Sequence, residues 1–422
     1  MSSTAGAPTA GAPTGKAPLH LHWFLPTAGD SREVAGFGPT ASRRDADLDY
    51  LTDVARTAER MGFDAVLTPT GTFCEDAWLT TAALISATER LRFLVAFRPG
   101  LISPTLAAQQ AATFQRLSGG RLLLNIVTGG SSVEQRRFGD HLDHDRRYDR
   151  CDEFLTVLRG AMSGEPYDFS GEFYEVEQAL VAHAPDPRPA IFFGGSSDAG
   201  KRVAARHADV WLMWGEPPDA AAKELATLRA RAEANGRDVR FGIRLHTITR
   251  DTAAAAWTEA DRMLEAMPPE VVAAAQEAVA GQSDAIGQAR MTALHGGDRS
   301  KLVVAPNLWA GFGLVRGGAG TALVGSHEEV AERLAEYHEI GFDHVILSGQ
   351  PHLEEAYWFG EGVLPLLRRA GIAADPGLPI HAAGPVPTAA PIHPASPVPT
   401  ASPVPTAGED EAATVLPLTS AS

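Results

Sequence analysis

An arginine and a histidine two residues apart on an alternating apolar run are the first sign of chemistry in this chain. Phe241-Gly-Ile-Arg-Leu-His-Thr-Ile-Thr249 reads as a strand, bounded by Arg237-Asp238 before it and Arg250-Asp251 after it. Successive side chains on a strand point to opposite faces, so Ile243 and Leu245 share one face and Arg244 and His246 the other. A strand buried on both sides has no place for a cation unless one side is a polar cavity. The mouth of a closed parallel barrel is such a cavity, and it is where active sites of that fold sit. Arg244 and His246 are therefore expected to project into a barrel mouth and bind an anion; an edge strand with a solvated polar face is the alternative.

Other polar residues gather where strands end. Thr68-Pro-Thr-Gly-Thr-Phe-Cys-Glu-Asp76, with Thr70 and Cys74, follows a second apolar run, and Asn125 and Thr128-Gly-Gly follow a fourth. Phe193-Gly-Gly-Ser-Ser-Asp198 opens a helix, where glycines admit a ligand close to the backbone and free amides favour a phosphate. Ser196 and Ser197 are thus candidate phosphate binders, and a helix cap is a compatible alternative. His144 and Tyr148 stand one turn apart at a helix start and could reach the same phosphate, although surface capping is the simpler reading of the pair alone. Arg316, flanked by glycines, reads as a mobile clamp on an anion or as a solvated loop charge. Trp214 either walls the pocket or packs. Cys74 sits beside Glu75 and Asp76, whose charges disfavour a thiolate, so a packing or hydrogen-bonding role suits it better than a nucleophile. No zinc-ligand spacing, serine elbow or Walker loop occurs.

The elements that must position these residues alternate. Strands are expected over residues 19–25, 63–70, 91–98, 121–128, 190–194, 209–214, 240–249 and 344–348. Amphipathic helices follow most of them, at 47–61, 77–88, 104–116, 148–162, 219–235 and 328–340, with Gly62, Gly119 and Gly236 as stop signals. This is the count of a (β/α)8 TIM barrel, class α/β. Residues 164–188 read as a hairpin insertion. Residues 251–325, between the seventh and eighth strands, read as a larger insertion, helical first and then a Gly-rich lid over the mouth. The Thr-Ala-Gly-Ala-Pro repeats of residues 1–18 and the Pro-Val-Pro-Thr-Ala repeats of 374–422 bury too little apolar surface to order, leaving one domain over 19–373.

The composition narrows the partners. With 36 basic and 52 acidic residues the net charge is −16, which argues against nucleic acid or an anionic membrane. An anionic substrate must then be drawn in by local arginines. Two cysteines make no disulfide framework, no apolar run reaches membrane-spanning length and no secretion pattern opens the chain, so a cytoplasmic protein is expected.

Eight strings, in order, carry a resemblance. They are Trp23-Phe-Leu-Pro-Thr27, Pro69-Thr-Gly-Thr-Phe-Cys-Glu-Asp-Ala-Trp78, Phe193-Gly-Gly-Ser-Ser197, Trp214-Gly-Glu-Pro-Pro218, the segment Phe241 to His246, Pro306-Asn-Leu-Trp309, the segment Leu314 to Gly325, and Pro351-His-Leu-Glu-Glu-Ala-Tyr357. Over residues 19–370 the chain resembles the FMN-dependent alkanesulfonate monooxygenases, within the bacterial-luciferase-like flavin monooxygenases. The resemblance implies a TIM barrel that takes reduced FMN from a separate NAD(P)H-dependent FMN reductase and uses O2 to cleave an alkanesulfonate to an aldehyde and sulfite, for sulfur acquisition. It also implies a homotetramer. Cys74 would lie near the flavin, and Trp214, Arg244, His246 and Arg316 would surround the sulfonate and the flavin-bound oxidant. His144, Tyr148, Ser196 and Ser197 would hold the FMN phosphate, with Thr70 and Asn125 also at the cofactor.

Two departures bear on substrate. The family commonly carries a histidine where this chain has Ala28 and a tyrosine where it has Gln350. Oxygenation of another organosulfur or alkyl substrate, a deazaflavin oxidoreductase, and a flavin- or sulfonate-binding protein without turnover are the remaining alternatives.

Overall fold

The computed structural model describes residues 16–34, 43–282 and 285–380 of the chain. Eight parallel strands close on themselves: β1 (His20–Phe24), β2 (Ala65–Thr68), β3 (Arg92–Phe97), β4 (Leu122–Ile126), β5 (Ile191–Gly194), β6 (Val210–Trp214), β7 (Arg240–Arg250) and β8 (His344–Ser348). Each pairs with the next, and β8 returns to β1 through His20 opposite His344. All eight expected strands are present. Inside the barrel Leu67, Leu94, Leu123, Phe192, Leu212 and Ile346 form an apolar cluster. Below it His20, His344 and His22 stack face to face, with centroids 5.0 and 5.3 Å apart. The amino end of the barrel is thus filled by these side chains.

Local chemistry sets the helix boundaries. The Asp47 side chain caps the helix Leu48–Met61, which ends on Gly62 at φ 92°, a left-handed conformation that costs a glycine little. The Asp143 carboxylate accepts the Arg146 amide, so the following helix runs His144–Ala161 and starts earlier than the apolar pattern implied. The helix after β2 is α only over Ala77–Leu84 and tightens to a 3-10 turn at Ile85–Ala87. Strands Tyr167–Ser170 and Glu175–Ala179 form the inserted hairpin.

The large insertion departs from expectation. After the helices Ala253–Glu265, Pro269–Gln282 and Ile286–His295, the Gly-rich stretch does not remain a loop. Gly311–Leu314 is a 3-10 turn, and Ala322–Ser326 is a strand lying parallel to the upper half of β7, with His246 opposite Ala322. β7 is long enough to outrun the barrel wall and pick up this extra neighbour.

Two boundaries also shift. Residues 16–18 and 374–380, assigned to the tails, lie against the barrel. His338 Nε2 meets the Ala17 carbonyl at 2.8 Å, the Ala374 amide donates to Leu19, and Ile380 packs on the interior cluster. The rest of both tails falls outside the described residues. No helix among the described residues is long and apolar enough to cross a membrane.

Candidate active site

A cavity with about 910 Å³ of empty space, partly open to solvent, occupies the carboxyl end of the barrel. Leu67 and Ile346 floor it, and the ends of β4, β5, β6 and β7 supply Asn125, Thr128 to Gly130, Gly194 to Ser197, Trp214 and Arg244. The start of helix His144–Ala161 adds His144 and Tyr148, and Ala285 to Gly287 of the insertion roof it. Seven predicted site residues therefore meet in one space: Asn125, His144, Tyr148, Ser196, Ser197, Trp214 and Arg244.

One end of the cavity suits a phosphate. Ser197 Oγ accepts the Gly200 amide at 3.0 Å, which makes it the cap of helix Asp198–His207, so the helix begins at a residue that lines the cavity. Ser196 and Tyr148 add hydroxyls, and the His144 and Tyr148 rings meet edge to face with centroids 5.0 Å apart. A Cβ on Gly195 would stand 3.0 Å from Tyr148 Oη, so the bare backbone there makes the cradle. Burial pushes the Tyr148 phenol up, keeping it a neutral donor. No carboxylate is among the described lining residues. This donor set could hold a phosphate such as that of FMN, through Ser196, Ser197, Tyr148 and His144.

The other end is lined by Arg244, whereas Arg316, the second arginine expected there, is not among the lining residues. Arg244 is held from behind: Nη1 donates to the Leu245 carbonyl at 2.6 Å, Nη2 donates to Ser348 Oγ at 2.8 Å, and the guanidinium lies 4.8 Å from the Phe24 ring centroid. Burial, with the like charge of Arg316 second, pushes its pKa down to about 9, still protonated near neutrality. Arg316 is also lowered by burial, and Asp30 partly opposes the shift. Neither guanidinium is in salt-bridge contact with a carboxylate among the described residues, and the Asp30 charge reaches Arg316 from farther away. Its loop is tied down where the Gly313 amide donates to Gly320 and the Gly318 amide to Gln288 Oε1.

His246 is placed differently from its expected role. It shares the Arg244 face, but its ring stacks on Phe312 at 4.0 Å and 1°. Nε2 lies 3.0 Å from the Ala319 carbonyl and Nδ1 2.7 Å from Ser348 Oγ. Both nitrogens are thus engaged by the protein, and burial lowers its pKa well below the ordinary value. Cys74 and Thr70 also stay out of the cavity lining. Cys74 borders a separate depression with Thr27, Ala28 and Glu75, its Sγ 3.6 Å from the Gly71 carbonyl. Burial raises its thiol.

Several residues escaped the sequence reading. Ser348 joins Arg244 to His246, and the alternation that singled out β7 would have found it at the end of β8. Asp30, buried, accepts the His352 amide at 2.7 Å and meets His352 Nδ1 at 2.9 Å. Gln350, one of the two departures, is buried with its Oε1 enclosed and unpartnered, whereas Ala28 is exposed. No cluster among the described residues could hold a metal ion.

A profile of the luciferase-like monooxygenases matches residues 19–344. Among solved structures, a riboflavin lyase, RcaE, with modified FMN and riboflavin, superposes with a TM-score of 0.73 at 23% identity, covering 85% of this chain and 93% of that one. A long-chain alkane monooxygenase, LadA, does so at 0.71 and 22%, covering 85% and 92%. An F420-dependent secondary alcohol dehydrogenase with an F420-acetone adduct follows at 0.61 and 17%, covering 83% and 99%. At these identities the structures speak for the fold alone.

Proposed function

The chain belongs to the luciferase-like monooxygenase family, and on that premise we propose that it is a two-component flavin monooxygenase that cleaves the C–S bond of alkanesulfonates. The observation that carries this reading is the buried guanidinium of Arg244 in the cavity lining, without a carboxylate in salt-bridge contact and near enough to Arg316 to feel its charge. A sulfonate is a tetrahedral monoanion whose oxygens suit guanidinium donors, and a second arginine near the first adds to the attraction for an anion. Reduced FMN, when bound, supplies the two electrons that activate O2; one oxygen atom ends in the aldehyde and the other in water, with sulfite leaving. A separate NAD(P)H-dependent reductase would supply that FMN, and a homotetramer is the expected assembly. The protein's part is to hold the phosphate through Ser196, Ser197, Tyr148 and His144, to orient the sulfonate by the arginines, and to keep water out between Trp214 and the roof at Ala285 to Gly287.

Sulfite release from octanesulfonate, with reduced FMN and oxygen supplied, tests the proposal. Release with FMN and none with the deazaflavin supports it. Release with the deazaflavin moves the chain to the oxidoreductase class, and tight FMN binding without oxygenation makes it a binding protein. Oxygenation of a different organosulfur or alkyl compound is the second reading. It draws on Gln350, whose free Oε1 and missing phenol alter the rim where the family carries a tyrosine.

A further inference from the structure

His246 is surrounded by groups that dictate where its proton sits. A backbone carbonyl can only accept, so the contact between Nε2 and Ala319 requires the proton on Nε2. The neutral ring then offers Nδ1 as an acceptor, and the Ser348 hydroxyl is the group in place to donate to it at 2.7 Å. The same oxygen accepts from Arg244 Nη2 at 2.8 Å. A guanidinium has no acceptor, so the Ser348 proton has one destination, and the direction of every bond is determined. Ala319 lies three residues after Arg316, and Phe312, stacked on the ring, lies four before it.

We propose that Ser348 is a positioning residue: its hydroxyl, donating to Nδ1, holds His246 in the tautomer that the Ala319 carbonyl requires, and His246 in that tautomer fastens the loop carrying Arg316. The chain of bonds runs from Arg244 through Ser348 and His246 to Ala319. His246 then acts as an anchor for the loop and not as a ligand of the anion. The catalytic consequence rests on the function proposed above, whereas the anchoring stands on geometry alone.

Limited trypsin digestion of the full chain reads the anchoring directly, as cleavage after Arg316 measured by mass spectrometry against cleavage at the exposed Lys301. Ser348→Ala should speed the Arg316 cut roughly fivefold or more by lowering the cost of local opening. Ser348→Thr, which keeps the hydroxyl, should restore protection. In a His246→Gln background, where an amide donates to Ala319 unaided, Ser348→Ala should add nothing further. With octanesulfonate, Ser348→Ala should raise KM roughly tenfold and leave FMN affinity unchanged. An Arg316 cut at the parental rate in Ser348→Ala, failure of Ser348→Thr to protect, or additive effects in the double variant would each overturn the proposal. Loss of protection in a protein that releases no sulfite from any sulfonate would leave the anchor standing and sink the substrate reading instead.

Discussion

Trp214 and Gly287 face each other across the mouth of the barrel: a Cβ added at Gly287 would stand 3.3 Å from Cζ3 of the indole and 3.6 Å from Ser196 Oγ. The two residues come from the end of β6 and from the third helix of the insertion. Arg290, one turn further along that helix, pairs with Glu224 at 2.8 Å and also with Glu216, which fastens the roof to the barrel.

The tightness of that contact predicts the effect of filling it. Gly287→Leu should weaken FMN binding roughly tenfold or more, since overpacking costs about 1–3 kcal/mol. Fluorescence titration of oxidised FMN measures this, with thermal unfolding as the control; unchanged affinity would mean that the roof lies clear of the flavin.

Removing one member of the cationic pair should separate chemistry from cofactor binding. Arg316→Ala is expected to lower kcat/KM for sulfite release by roughly 10–100-fold, the worth of a charge-assisted hydrogen bond of about 1.5–3 kcal/mol. Affinity for oxidised FMN should stay nearly constant, because the phosphate-suited end of the cavity is built from other residues. A large loss of flavin affinity would place Arg316 at the cofactor.

The buried histidine stack predicts acid sensitivity. Burial, the largest cause, pushes His22 down to about 3 from 6.5, with Asp64 opposing the shift and His20 and Arg92 assisting it. The unfolded chain therefore takes up its proton first as acid is added. Stability from this site is complete above 6.5 and is lost steadily as pH falls toward about 3, at up to ~1.4 kcal/mol per pH unit. Urea midpoints between about pH 7 and pH 5 should fall more steeply for the parent than for His22→Leu; parallel slopes would remove His22 from the account.

Cys74 predicts a near-silent substitution. With its thiol raised by burial, labelling by iodoacetamide should keep climbing beyond the pH at which a free thiol levels off. Cys74→Ser should keep sulfite release within about twofold, as expected for a change of ~0.5 kcal/mol or less away from the reacting groups. Loss of turnover would show that the thiol acts on the flavin after all.

Much of the architecture was legible because it is periodic. The apolar runs of β1 to β8 each recur with the spacing of a strand, and residues such as Gly62 and Asp47 mark helix ends through local backbone chemistry. The upper half of the insertion was not legible. Ala322–Ser326 becomes a strand where β7 extends past the barrel and offers it an edge, with Leu308–Trp309 pairing on its other side.

The site divides along the same line. Alternation along β7 was enough to put Arg244 and His246 on one face, and glycine and serine at the end of β5 were enough to mark a phosphate-suited turn. Tertiary structure alone decided what those side chains could do. His246 spends one nitrogen on Ser348, 102 positions away, and the other on Ala319, 73 positions away. Which face a residue occupies follows from its neighbours in sequence, whereas which atoms it meets follows from the stagger of strands around a closed barrel.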